Sequence, residues 1–182
     1  MQETVNSDWE CFVRAQRGDE TAWRVLVEQH QARLLALALF ITGSAIAADD
    51  VVQETFVRAL GVKMRDTAGT VQGFLSTIAY RLALKEAKRV RRNTELDELD
   101  LPDHGQNALE GILNDERDRS VARAIRTLDA EHRDVLVLRF YGGYSYEEIA
   151  KIVEAPLGTV KSRIFYAVKS CRESLRQKGV LR

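Results

Sequence analysis

The chain contains only two prolines, Pro102 and Pro156, and both fall where the apolar pattern breaks. Proline lacks a backbone donor and ends a helix, so the long stretches between these breaks are free to run as helices. Apolar residues recur there three and four apart, as in Trp23, Leu26, Val27, Leu34 and Ile41, or Phe74, Leu75, Ile78, Ala79 and Leu82. That is a helical period, so the chain is expected to be all-α. The pattern predicts helices over about residues 8–17, 19–42, 45–60 and 71–92, then about 107–127, 130–141, 146–154 and 159–177. Ser7 with Glu10, Asn107 with Glu110 and Ser145 with Glu148 have capping-box spacing, and glycines at 43, 61 and 179 are suited to stops.

The fold class that follows is two small helical domains joined by an acidic linker. The first covers residues 1–92, the linker 93–111 and the second 112–182. The longest apolar run, Leu34 to Ile41, is eight residues, against the ~20 that span a bilayer. No membrane insertion is expected. Met1 to Trp9 carries acids and amides rather than a basic start and an apolar stretch, so a cytoplasmic location is expected. Cys11 and Cys171 are far apart and belong to no Cys-x-x-Cys pair, which favours reduced structural thiols over a metal or disulfide.

With 27 basic and 27 acidic residues the net charge is zero, which alone speaks against a nucleic-acid partner. The distribution reverses that. Arg81, Lys85, Lys88, Arg89, Arg91 and Arg92 form a basic block interrupted only by Glu86. From Asn93 to Glu110 the charges are all acidic. The sign flips again at Lys161, Arg163, Lys169, Arg172, Arg176 and Lys178, opposed only by Glu173. Patches, not totals, determine what a surface attracts.

Two constellations stand out. Ser145 to Val153, a short Glu-Ala-Pro-Leu-Gly connection, and Thr159 to Val168 have the form of a helix-turn-helix, whose second helix offers its early polar residues to the major groove. Lys161, Ser162 and Phe165 share one face there, and Ile149, Ala150 and Val153 would meet Val160, Ile164 and Ala167. An ordinary helical hairpin with a solvated basic face is the plainer alternative. In the N-terminal half, Asp50, Gln53 and Glu54 lie on one helical face beside Asp49, while Val52 and Phe56 turn inward. Clustered carboxylates can bind a divalent metal or act as acid and base. His30, His104 and His132 add no spaced ligand set, so a solvated acidic face is favoured over a hydrolase.

Asp49-Asp50-x-x-Gln53-Glu54-x-Phe56, followed by Tyr144-Ser-Tyr-Glu-Glu-Ile-Ala and Gly158-Thr-Val-Lys-Ser-Arg163, resembles the sigma-70 family of RNA polymerase sigma factors in its extracytoplasmic-function (ECF) group. The likeness runs from Cys11 to Leu175. It implies a promoter-specificity subunit that binds core RNA polymerase, recognises promoter DNA at −10 and −35 elements and promotes opening. It implies no enzyme activity, cofactor or small-molecule substrate. Asp49, Asp50, Gln53 and Glu54 match the family surface that docks on the polymerase clamp. The segment from Gly73 to Ala83 resembles the helix that holds the −10 strand, which assigns Met64, Phe74, Tyr80, Arg81, Lys85, Lys88, Arg89, Arg91 and Arg92 to that role. Phe74 replaces a common Trp, Arg81 a common Asn and Lys85 a common Asp, and the loop from Gly61 to Gly69 is about one residue short. Thr159, Lys161, Ser162, Arg163, Phe165, Tyr166 and Lys169 match −35 positions, although Tyr166 and Val168 stand where a base is frequent. The linker matches the segment the family threads toward the RNA exit path. The family also implies an anti-sigma factor, which can hold such a protein at the membrane. A dimeric helix-turn-helix regulator is the competing reading, but it leaves the Gln53-Glu54 face and the Arg81–Arg92 block unused.

Overall fold

The computed structural model describes residues 2–62, 69–96 and 116–181. Eight α-helices lie among the described residues and no strand does: α1 Gln2–Gln16, α2 Glu20–Thr42, α3 Ala45–Gly61, α4 Val71–Leu96, α5 Glu116–Arg126, α6 Ala130–Phe140, α7 Tyr146–Ile152 and α8 Leu157–Gln177.

Helix ends follow side chains that satisfy exposed N–H groups. The Asp19 carboxylate accepts from the amides of Thr21 and Ala22 at 3.0 Å each, and Arg14 holds the same carboxylate at 2.6 Å. These bonds keep the Asp19 carboxyl below its ordinary range, the backbone bond from Ala22 contributing most. Ser44 caps α3 and Asp129 caps α6 in the same way. Ser145 forms the expected box: its hydroxyl accepts from the Glu148 amide at 3.2 Å, and Glu148 accepts from the Ser145 amide at 2.8 Å. Ser145→Ala is expected to cost about 1 kcal/mol and to lower the melting temperature by about 2–4 °C. Thermal denaturation followed by circular dichroism checks this; an unchanged midpoint would show that the box contributes nothing.

Three expectations about boundaries need correction. α1 starts at Gln2, so Ser7 lies inside a helix rather than at its cap. Nothing between Gln2 and Ser7 breaks a helix. α4 runs on through Leu96, taking in residues 93–96 that the acidic stretch assigned to the linker, because no Pro or Gly intervenes there. α8 begins at Leu157 with Pro156 at its N-cap position, where the missing amide costs nothing. The expected Asn107–Glu110 cap and residues 97–111 of the linker lie outside the described residues.

Helices α1 to α4 enclose Phe12, Leu26, Leu34, Leu37, Val51, Val71 and Leu75, all essentially inaccessible. Alanines at 36, 38, 79 and 83 are buried in α2 and α4. The Gln16 amide donates to the carbonyls of Ala59, Leu60 and Val62 at 3.2, 3.2 and 2.8 Å. It thereby closes the C-terminal end of α3 and fixes that helix against α1. In the second half, Ile149, Val160, Ile164 and Ala167 are buried as the helix-turn-helix pattern requires, while Ala150 and Val153 are half-buried. Glu154 takes a left-handed φ of 52° in the connection between α7 and α8. The two halves are packed against each other: the buried apolar residues form one cluster from Trp9 to Leu175.

Candidate functional site

The acid–amide constellation sits on the outer face of α3. Asp49, Asp50, Gln53 and Glu54 are exposed, whereas Val51, Thr55, Phe56 and Ala59 point inward. Trp23 from α2 meets Phe56 edge-on at 5.4 Å between ring centroids, which anchors the inner face and leaves the outer one free. Glu54 is paired with Arg58 at 2.6 Å. The described residues contain no group of three or more His, Cys, Asp or Glu side chains arranged for a metal ion. Ile46 and Val57 extend the same outer face and are 77% and 66% exposed. Sequence reasoning did not single them out. Their spacing from Gln53 could have revealed them, since positions four and seven apart share a helix face.

The basic residues of α4 form a neighbouring stripe. Arg81, Lys85, Lys88, Arg89 and Arg92 are exposed, and Arg81, Lys85, Lys88 and Arg92 follow steps of four, three and four that keep one face. The side chain of Arg91 and the whole of Met64 lie outside the described residues. Arg89 donates to Glu86 at 2.6 Å. One groove between α3 and α4 is lined by Asp50, Gln53 and Glu54 on one side and by Lys85 and Arg89 on the other. The acid–amide face and the basic stripe are therefore contiguous.

The two aromatic −10 candidates are placed otherwise than an exposed stacking platform requires. Phe74 packs with Phe12 and Trp9, the ring centroids 5.6 and 5.9 Å away, and Trp9 donates its indole N–H to the Gly69 carbonyl at 3.1 Å. Tyr80 is 5% exposed and donates its hydroxyl to Asp134 of α6 at 3.2 Å. The contact comes from the other half of the chain. Burial pushes the Tyr80 and Tyr144 hydroxyls above the ordinary tyrosine range, with Asp134 adding to the effect at Tyr80. Both phenols thus remain protonated below about pH 10, and their neutral-form hydrogen bonds are lost only as pH rises beyond it.

On α8, Lys161, Ser162, Phe165, Tyr166 and Lys169 are exposed and Thr159 is half-buried. Phe165 and Tyr166 meet edge-to-face at 5.4 Å, which gives the basic surface an aromatic ridge. The Ser162 hydroxyl donates to the Thr159 carbonyl at 2.9 Å. Arg163 is ion-paired with Glu131 of α6, so this one cation braces the domain from within the exposed row. A groove beside it is lined by Tyr146, Lys161, Phe165, Lys169 and Arg172.

Comparison with known proteins gives two family-model matches. Residues 26–93 match the family model Sigma-70 region 2, and residues 124–173 match Sigma-70, region 4. The chain is 35% identical to the RNA polymerase sigma-H factor of Pseudomonas aeruginosa, over 95% of this chain and 96% of that one. It is 36% identical to the ECF RNA polymerase sigma factor SigL of Mycobacterium tuberculosis, over 87% of this chain and 92% of the relative. Among solved structures, CnrH in complex with the cytosolic domain of CnrY has a similar fold, with TM-score 0.63 at 24% identity over 93% of this chain and 97% of that one. The sigma factor RpoE of Bartonella quintana, solved with the anti-sigma factor NepR, gives 0.62 at 22% identity over 85% and 96%.

Proposed function

This chain belongs to the sigma-70 family, in its ECF group, and from that premise we propose how its surfaces share the work of promoter recognition. Residues 1–92 dock on core RNA polymerase through Asp49, Asp50, Gln53 and Glu54 of α3, with Ile46 and Val57 adding apolar contact at the two ends. The same unit holds the −10 strand along α4, where Arg81, Lys85, Lys88, Arg89, Arg91 and Arg92 meet phosphates. Base preference there falls to Met64, while Phe74 and Tyr80, packed on Trp9 and Phe12 and bonded to Asp134 respectively, support the helix from its inner side. Residues 112–182 read the −35 duplex with Lys161 and Ser162 at base edges, Thr159, Phe165, Tyr166 and Lys169 around them, and Arg163 as a brace. Beyond α4, residues 97–111 supply an acidic tether.

The observation that carries this reading is the shared groove between α3 and α4, in which Gln53 and Glu54 stand opposite Lys85 and Arg89. A polymerase surface seated on the acids leaves the cations beside it for a DNA strand. Each neutralised phosphate contributes a log–log salt slope of about −0.7 on single strands and −0.9 on duplex. A dimeric regulator has no use for that juxtaposition.

CnrH was solved in complex with the cytosolic domain of CnrY, and RpoE with the anti-sigma factor NepR; in this reading a protein partner of the anti-sigma kind likewise binds this factor and holds it inactive. The factor acts in the cytoplasm, and such a partner can retain it at the membrane. No helix among the described residues is long and apolar enough to cross a membrane.

Transcription in vitro with purified core polymerase on a genomic promoter library tests the whole assignment. Factor-dependent transcripts that share one −10 and one −35 sequence are expected. A factor that forms a dimer, binds duplex DNA without polymerase and supports no transcription would overturn it.

A further inference from the structure

The first helix holds both ends of the connection between α3 and α4. Trp9 and Gln16 lie seven residues apart on α1, two helical turns and about 10 Å along the axis, so their side chains leave the same face. The Gln16 amide donates at 2.8 Å to the Val62 carbonyl, where the chain leaves α3, as well as to Ala59 and Leu60 in the last turn. The Trp9 indole N–H donates at 3.1 Å to the Gly69 carbonyl, where the chain approaches α4. Gly69 takes a left-handed φ of +86°. One residue on, the Thr70 hydroxyl accepts from the Gly73 amide at 3.0 Å and closes the first turn of α4.

α1 is itself fixed firmly enough to serve as a ruler between these two ends. Phe12 is fully buried and Trp9 nearly so, and Phe12 meets both Trp9 and Phe74 edge-on at 5.6 Å between ring centroids. Phe74 stands in the first turn of α4, so the ring cluster ties α1 to the helix whose entry it pins. On the α2 side, Arg14 pairs with Asp19 at 2.6 Å and the Cys11 thiol donates to the Ala22 carbonyl at 3.4 Å. A buried indole N–H or a helix-end carbonyl left without a partner costs free energy. Both bonds therefore resist displacement of the chain ends they hold.

α1 lies outside residues 26–93, the segment that matches Sigma-70 region 2. The carbonyls it pins bracket Met64 in the sequence, whereas the basic stripe begins at Arg81, about three turns into α4. A group that reads a base has to be held within about 0.5 Å of its productive position. Phosphate contacts carry no sequence information. Loss of the two pins should therefore reduce selectivity and leave the charge-driven part of binding in place.

We propose that Trp9 and Gln16 are positioning residues for −10 recognition: by fixing the carbonyls of Gly69 and Val62 they set the separation and direction of the two chain ends between which Met64 stands in the sequence, and so decide how sharply one base is selected. The inference rests on the reading that this unit holds the −10 strand with Met64 as its base contact. Neither Trp9 nor Gln16 touches DNA in this scheme. They act through the chain ends alone.

The test uses holoenzyme assembled from core polymerase and the whole chain, transcribing a promoter library randomised at the −10 positions. Trp9→Phe keeps a ring against Phe12 and Phe74 and removes the indole N–H; Gln16→Met keeps the length of the side chain and removes the amide. Met64→Ala identifies the −10 position that Met64 governs. Each pin variant is expected to lower the preferred-to-disfavoured base ratio at that same position by about twofold to tenfold, the worth of one hydrogen bond. The salt slope of promoter binding and the −35 preference should stay as in the native holoenzyme. Phe12→Leu is the control, since it loosens the ring cluster but keeps both donors: it should lower the melting temperature and retain the native −10 preference. Native preference in the pin variants, a loss at a position that Met64→Ala leaves alone, or an equal loss in Phe12→Leu would overturn the inference. If one pin variant fails to fold, the other decides. A native holoenzyme that selects no −10 base would overturn the promoter reading itself, and the inference with it, an outcome distinct from the other three.

Discussion

Replacing Gln53 and Glu54 by Ala together is expected to weaken binding to core RNA polymerase by at least about tenfold, which corresponds to ~1.4 kcal/mol, while leaving the protein folded. Both side chains are exposed on α3 and face away from Val51, Thr55 and Phe56. Neither contributes to the core. The Glu54–Arg58 pair is itself exposed on both sides, so its loss costs only about 0.3–0.5 kcal/mol. Exposed substitutions of this kind change stability by about 0.5 kcal/mol, or roughly 2 °C in melting temperature for a chain of this size. Interface energy, by contrast, concentrates in a few central side chains. The measurement is a titration of core enzyme against the labelled double variant, alongside a thermal melt. Unchanged polymerase affinity would remove α3 from the docking surface. Val57→Asp provides an independent check, since it adds a charge at an exposed apolar position on the same face and is expected to impair docking without unfolding the bundle.

Lys161→Ala is expected to cost the holoenzyme about 1–3 kcal/mol at its preferred −35 sequence and to relax preference at one position of that element. Lys161 lies in the first turns of α8, exposed and beside Ser162, where a recognition helix presents side chains to base edges. Lys169 lies two turns later beyond the Phe165–Tyr166 ridge. Lys169→Ala should weaken all −35 sequences alike and lower the salt slope by about one. Arg163 gives a third signature: its ion pair with Glu131 ties α8 to α6, so Arg163→Ala is expected to lower the melting temperature as well as DNA affinity. Titrations of holoenzyme on single-base −35 variants at several salt concentrations distinguish the three. Equal loss on every variant for Lys161→Ala would reassign that residue to the phosphates.

Local spacing carried much of this protein. Apolar residues three and four apart placed α2 and α3 within a few residues of their observed ends, and Ser145 with Glu148 marked the start of α7 by a cap that needs only four consecutive residues. The outward direction of Asp50, Gln53 and Glu54 was equally legible, because a helix face follows from the 3.6-residue period alone. Extent was less legible: α1 and α4 continue past the expected ends, since a sequence without Pro or Gly has no local reason to stop. Tertiary structure alone decided what the aromatic residues of α4 face. The same period that puts Phe74 and Tyr80 on the basic helix says nothing of Trp9 and Phe12, some sixty residues earlier, which take up Phe74. Nor does it reveal Asp134, more than fifty residues later, which takes up Tyr80. Periodicity specifies which side chains share a side of a helix. Which partner covers that side depends on distant segments meeting, and their pairing is set by shape and desolvation across the whole chain rather than by any local run of residues.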